Sequence, residues 1–333
     1  MTILNVARTF LSILLLCLTS GMSLADPNFW KHEWPQTDFT KTSIDYLEIL
    51  SGGPPKDGIP AIDSPKFVPL AKATHLKETE PVIGLVIGKE ARAYPLQVLM
   101  WHEIVNDTVA GVPIAVTFCP LCNASLVFDR RITLPNKGEV VLDFGTTGKL
   151  RRSDLVMYDR QTESWWQQFT GEAIVGELTG RSLKMLPVRI ESFARFRSRN
   201  PEGKVLVPNG KYDRSYGVNP YRGYDSRAKP FLYHGEMPPN IAPLARVITS
   251  EGHAWSLDYL RQEKRIQTSD GLILEWEKGQ NSALDASVIG EGVDIGNVIA
   301  YRIVGGEKTD ILYTVDFAFA HFAFNSDVPI ITK

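Results

Sequence analysis

The sequence predicts a mainly β protein with a few short helices, α+β being the second choice, built from two weakly related β-rich halves. Three observations lead there. The 333 residues include 26 glycines and 21 prolines, which punctuate the chain into short elements. Apolar residues recur with period two in several runs, the pattern of half-buried strands. And VIGKEARAYPLQVL (86–99) is echoed by VITSEGHAWSLDYL (247–260) at a constant offset, as expected of a repeated hairpin–helix–strand unit. The net charge of −2 and the lack of a basic run argue against nucleic acid as a partner.

Along the chain, residues 1–25 read as a secretory signal: Arg8 precedes the apolar run FLSILLLCL, and SLA precedes Asp26. The run is short for a bilayer span, so no stable membrane insertion is expected after cleavage, and the location expected is periplasmic or secreted. Residues 26–80, with SGGPPKDGIPAIDSP, read as an irregular arm. The first β-rich half covers 81–207. VIGLVIGKEARAYPL reads as a hairpin, QVLMWHEIVND as a short helix with Val98, Trp101, Ile104 and Val105 at helical spacing, and IAVTF as a strand. Strands are expected at EVVLDFG, DLVMYDR, AIVGEL, LKMLPV and KVLVP, and a short helix at ESFARFRSRNP. A Tyr/Pro/Gly-rich connector spans 208–243, and a second β-rich half spans 244–333.

The chemistry concentrates in VTFCPLCNASLVFDR (116–130), where Ala124, Leu126 and Phe128 alternate with Ser125, Val127 and Asp129. Cys119 and Cys122 therefore occupy a turn between two strands. Three readings stay open. A dithiol–disulfide exchanger, the thiol oxidoreductase reading, would place the first thiol at a helix N-terminus, and here a strand follows instead. A structural disulfide would close a very small loop and restrict little unfolded chain. A metal site would use the two thiolates as a chelate and needs further donors. His102, in WHEIVND, is the candidate third ligand, with a zinc or copper ion as the cofactor expected and Glu103 as a proton carrier beside it. The contrasting function is a glycan- or peptide-binding module with a disulfide-braced loop. Its surface would draw on Arg151 or Arg152 for anionic groups, Trp165 or Trp166 for ring stacking, and Tyr221, Tyr224 and Asp225 from the connector. The duller reading of KLRRSDLVMYDRQTESWW is a strand pair with solvated charges.

ARAYPLQVLMWHEIVNDTVAGVPIAVTFCPLCNASLVFDR, FGTTGKLRRSDLVMYDRQTESWWQQFTGEAI and YGVNPYRGYD resemble, in order, the bacterial "domain of unknown function 3179" family, and the likeness runs from about Pro81 onward. The resemblance implies that Trp101, His102, Glu103, Cys119, Pro120, Leu121 and Cys122 share one site; it implies no reaction. The family's usual residue after the second cysteine is glycine. Asn123 stands there in this chain, a residue that also tolerates left-handed backbone.

Overall fold

The computed structural model describes residues 26–134 and 138–333; the signal segment expected over 1–25 lies outside the described residues. The arm opens with α1 (Pro27–Trp30), capped by Asp26, and contributes two short strands, β1 (Ile49–Ser51) and β2 (Lys66–Pro69). Both join sheets built by the rest of the chain, so the arm is not irregular throughout.

The first unit runs β3 (Pro81–Ile87), β4 (Glu90–Pro95), α2 (Leu96–His102), β5 (Ile104–Val109), β6 (Val112–Cys119) and β7 (Ala124–Asp129). The helix expected to continue through Ile104 and Val105 stops at His102. Glu103 takes φ 56°, which no helix tolerates, and the same two apolar residues continue as a buried strand. An inserted stretch follows: a small hairpin of β8 (Arg131–Leu134) and β9 (Gly138–Val141), then β10 (Phe144–Arg151), β11 (Asp154–Asp159), β12 (Trp165–Gln167) and β13 (Glu172–Val175). EVVLDFG is thus divided between β9 and β10, where Leu142 leaves the hairpin to donate its amide to Arg130 O. The AIVGEL strand ends at Val175 because Gly176 turns the chain at φ 102°. The first unit then resumes with β14 (Lys184–Met185), β15 (Arg189–Ser192), α3 (Phe193–Arg199) and β16 (Lys204–Val207).

After the connector comes the second unit. Its elements are β17 (Arg246–Ser250), β18 (His253–Ser256), α4 (Leu257–Glu263), β19 (Arg265–Gln267), β20 (Ile273–Glu277), β21 (Asn297–Val304), β22 (Glu307–Asp310), β23 (Thr314–Phe317), α5 (Ala318–Phe324) and β24 (Ile330–Ile331).

Over the described residues the protein is mostly β with five short helices, and its small, mainly antiparallel sheets form a five-bladed propeller-like ring. Four of the five blades are two copies of one two-sheet design. In the first copy the orders are β15-β3-β4-β16-β2 and β14-β7-β6-β5; in the second they are β23-β17-β18-β24 and β22-β21-β20-β19. Even the exceptional parallel pair recurs, β4 with β16 and β18 with β24. The copies cross-pack reciprocally: β7 lies against β23, and β15 against β21. The fifth blade, β1-β10-β11-β12-β13, takes its last four strands from the insertion between β7 and β14 and its edge strand β1 from the arm. The arm clamps this blade through one close approach. Gly148 sits at φ 69°, and a Cβ there would stand 1.9 Å from Pro54 O.

The core reflects this plan. Ile83, Leu99, Val116, Phe118, Val127, Phe144 and Met157 are fully buried in one continuous cluster that joins the first copy to the insertion. A separate cluster of Ile248, Leu260, Leu274 and Ala300 fills the second copy.

Candidate metal centre

The CPLC turn closes the β6–β7 pair, with Cys119 and Ala124 as the last register partners. Asn123 adopts φ 54°, so the left-handed backbone that glycine would supply is reached by asparagine. Three hydrogen bonds tie the turn to distant parts of the chain. Asn123 Nδ2 donates to Val315 O at 2.8 Å, Phe317 N donates to Cys122 O at 2.9 Å, and Tyr224 Oη donates to Leu121 O at 3.1 Å. Bonds from two strand positions of the second copy and one connector tyrosine leave the turn little freedom.

Both cysteines are free thiols and both are buried. Cys122 Sγ lies 3.5 Å and Cys119 Sγ 3.9 Å from Ser153 O. The next residue, Asp154, opens β11 and is fully buried. One of its carboxylate oxygens, Oδ2, accepts from Gln167 Nε2 at 2.6 Å and from Phe169 N at 2.9 Å. The other, Oδ1, is buried and meets no N–H or O–H donor, so the two thiols are the donors that face this carboxylate. The two sulfurs and the Asp154 carboxylate lie within 4.8 Å of one another.

Further acids surround this trio. Burial and the nearby Asp154 charge push Glu103 up to about 8. Asp154 itself is raised to about 6 by burial, and Asp316, the residue before Phe317, to about 8 by burial with Asp154 adding to it. Burial pushes both thiols up. Burial holds every one of these groups toward its neutral form. Arg151, the register partner of Asp154, does not pair with it. Its guanidinium pairs with Glu48 at 2.9 Å and reaches only Gln167 Oε1, at 3.3 Å.

The residues named from sequence divide into three groups. Glu103, Cys119 and Cys122 share the buried acidic region, and Tyr221 and Tyr224 border it: burial raises both phenols, Glu103 adds to the shift of Tyr221 and the two thiols to that of Tyr224. His102 is not in the sulfur group. Its Nδ1 bonds to Pro60 O at 2.7 Å, its Nε2 to Tyr216 Oη at 2.8 Å, and its ring packs against Tyr212 and Tyr216. The kink at Glu103 separates the two neighbours, sending His102 to the arm and connector and Glu103 to the thiols. The remaining residues lie in other structural settings. Arg151 and Arg152 both grip Glu48, and Arg152 also donates to Ala323 O. Trp165 is fully buried among Trp30, Trp34 and Phe39, so its faces are taken by the arm. Asp225 bonds Arg246 at 3.0 Å and Ser282 Oγ at 2.5 Å.

Asp154 is the member of the cluster that sequence reasoning missed. It lay in a run read as solvated charge, yet Asp154 and Asp159 are both fully buried at the two ends of β11. A strand reading D-apolar₄-D after a two-residue Arg-Ser turn was the available signal: its acids flank the apolar run at both ends.

No curated protein and no solved structure matches the chain. Residues 56–327, most of its length, match the family described as "Protein of unknown function (DUF3179)", and the chain belongs to that family.

Proposed function

We propose that the protein binds one transition-metal ion through Cys119, Cys122 and Asp154, with a fourth position open toward Glu103. The observation that carries this reading is the buried Asp154 carboxylate, one of whose oxygens meets no N–H or O–H donor, within 4.8 Å of two buried thiols. An orphaned carboxylate oxygen in a closed interior is costly, and a cation removes the cost for all three groups at once. Donors on a tetrahedral zinc ion sit about 3.5–4 Å apart, so the three side chains need to contract by only about an ångström. Two sulfurs and one oxygen suit zinc; a copper ion is the second choice, since Cu(I) prefers purely soft donors. Three protein ligands with an open fourth position is the arrangement of catalytic rather than structural zinc. Glu103, whose charge acts on Cys119, would be the group to take a proton from a water held there.

Thiol–disulfide exchange draws no support from the geometry. It requires a thiol with a lowered pKa, and burial moves Cys119 the other way. The leader-like residues 1–25 support export as part of this reading, and fractionation with N-terminal sequencing tests it. Among the described residues no helix is long and apolar enough to cross a membrane.

The metal reading is tested by elemental analysis of protein purified under reducing conditions. About one equivalent of metal is expected, with Cys119→Ser and Asp154→Asn each losing most of it and His102→Ala retaining it. Less than about a tenth of an equivalent in the parent, unchanged by Cys119→Ser, overturns the reading. Loss in His102→Ala with retention in Asp154→Asn returns the third ligand to histidine.

A further inference from the structure

The duplication sets a second cleft at the place where the first copy has its thiol turn. Cys119 and Ala124 end the β6–β7 pair, and Glu277 and Asn297 end the β20–β21 pair in the same way. Each ending faces a strand–helix element of the other copy. β23 and α5 cover the thiol turn; β15 and α3, their counterparts, flank the second ending. The amide leading into the helix is tied down in both places, Phe317 N to Cys122 O and Ser192 N to Asn297 Oδ1 at 2.7 Å.

The two settings differ in what fills them. α5 presents Phe319 and Ala320, both fully buried, and Phe324. At the same positions α3 carries Ala194, Arg195 and Arg199. The second copy also has no inserted blade: β21 joins β22 through the Gly305–Gly306 turn alone. An open cleft of about 670 Å³ results, lined by five cationic side chains and two acidic ones.

Three arginines converge on it, held in different ways. Arg199 is fixed by Glu191, a carboxylate 1 % exposed, which takes its Nε and Nη2. Arg189 and Arg195 instead hold Asp310 and Glu277, whose side chains are 37 % and 68 % exposed. Exposed pairs are weak unless bidentate; Asp310 takes both Nε and Nη2 of Arg189, so the Arg195–Glu277 pair is the first to open and its carboxylate turns out into water. A guanidinium released from such a carboxylate presents a planar fork that matches phosphate, sulfate and carboxylate oxygens.

We propose that this cleft between β15–α3 and the end of the β20–β21 pair is a second binding site, for a ligand carrying two or more oxyanions, held by Arg189, Arg195 and Arg199. The ligand displaces Glu277 and Asp310 to solvent, while Glu191 keeps Arg199 in place. Lys278, at the cleft wall, adds attraction without a fixed geometry. The site is independent of the metal reading.

Isothermal titration of the full chain with sucrose octasulfate, inorganic phosphate and unsulfated sucrose tests it. Neither anion offers the thiol turn a soft donor, and none of the three arginines belongs to the sulfur cluster. The octasulfate binds saturably, phosphate competes with it, and sucrose gives no heat. Arg195→Ala weakens the octasulfate about tenfold and Arg195→Glu abolishes binding, whereas Arg181→Ala, at an exposed arginine elsewhere, leaves it unchanged. Arg195 is chosen because its partner is exposed, so its removal strands no buried charge. No saturable binding up to about millimolar octasulfate, or equal weakening by Arg181→Ala, overturns the proposal.

Discussion

At φ 56° and ψ −32°, Glu103 occupies backbone that glycine adopts freely and glutamate does not. Its counterpart, Lys264, has φ 63° and ψ −32° at the end of α4. The bend therefore belongs to the repeated unit, and the side chain at the bend distinguishes the copies: Lys264 Nζ lies 3.9 Å over the Trp276 ring, while Glu103 turns into the acidic interior. Because burial holds Glu103 near 8 rather than 4.5, its neutral form stabilises the metal-free fold. That contribution is complete below about pH 4.5 and is lost as the pH rises through about 8. Thermal unfolding of metal-free protein is therefore expected to fall between pH 5 and pH 8, and Glu103→Gln to flatten the fall. An equally steep fall in the variant assigns the effect elsewhere. Added zinc should raise stability more at pH 8 than at pH 5, since its ligands must shed protons to bind. The sequence exposed the cysteines and Glu103 because they share local motifs. Asp154 was hidden because its partnership with the sulfurs spans more than thirty residues and crosses from one blade to another.

The elements read most clearly where the two copies kept their letters. The 86–99 and 247–260 echo marks β4 with α2 and β18 with α4, and the hairpins around them. The echo continues further than the letters do. RIESFARFRSRN and TVDFAFAHFAFN form β15–α3 and β23–α5 with equivalent partners, yet in register only the closing asparagine is identical. Asn200 and Asn325 end the two helices at φ −135° each. What diverged is the exposed face, which one copy buries and the other leaves to water, and periodicity cannot connect sequences whose burial differs. α2 was over-extended for a related reason: Ile104 and Val105 continue the helical spacing, and only the unreadable dihedral at Glu103 breaks it. Helix ends that do carry a legible signal are testable. Ser256 caps α4 by accepting from Tyr259 N at 3.2 Å, and Ser256→Ala is expected to cost about 1 kcal/mol in urea unfolding. A change under a few tenths, measured at constant m-value, removes the cap from the account.

Across the whole molecule, a twofold frame carries one extra blade, and the arm fastens that blade down. Trp34 is wholly buried between Tyr158 and Trp165, with Lys56 Nζ 4.3 Å over its ring. Trp34→Ala should cost about 3–5 kcal/mol and reduce metal retention as well, because the blade it loosens also carries Asp154. Unchanged metal content in a folded Trp34→Ala protein would show that the blade stays docked without the arm. Mainly-β character and pairing of halves were visible in the sequence; the insertion was not, since β10–β13 read as more strands of the same half. The sealed sulfurs have a practical corollary. A chromogenic thiol reagent cannot touch Cys119 or Cys122 until the shell parts, and the described residues hold no other cysteine. Colour development under native conditions therefore times the rarest excursions of this protein, and each molecule that opens announces itself twice.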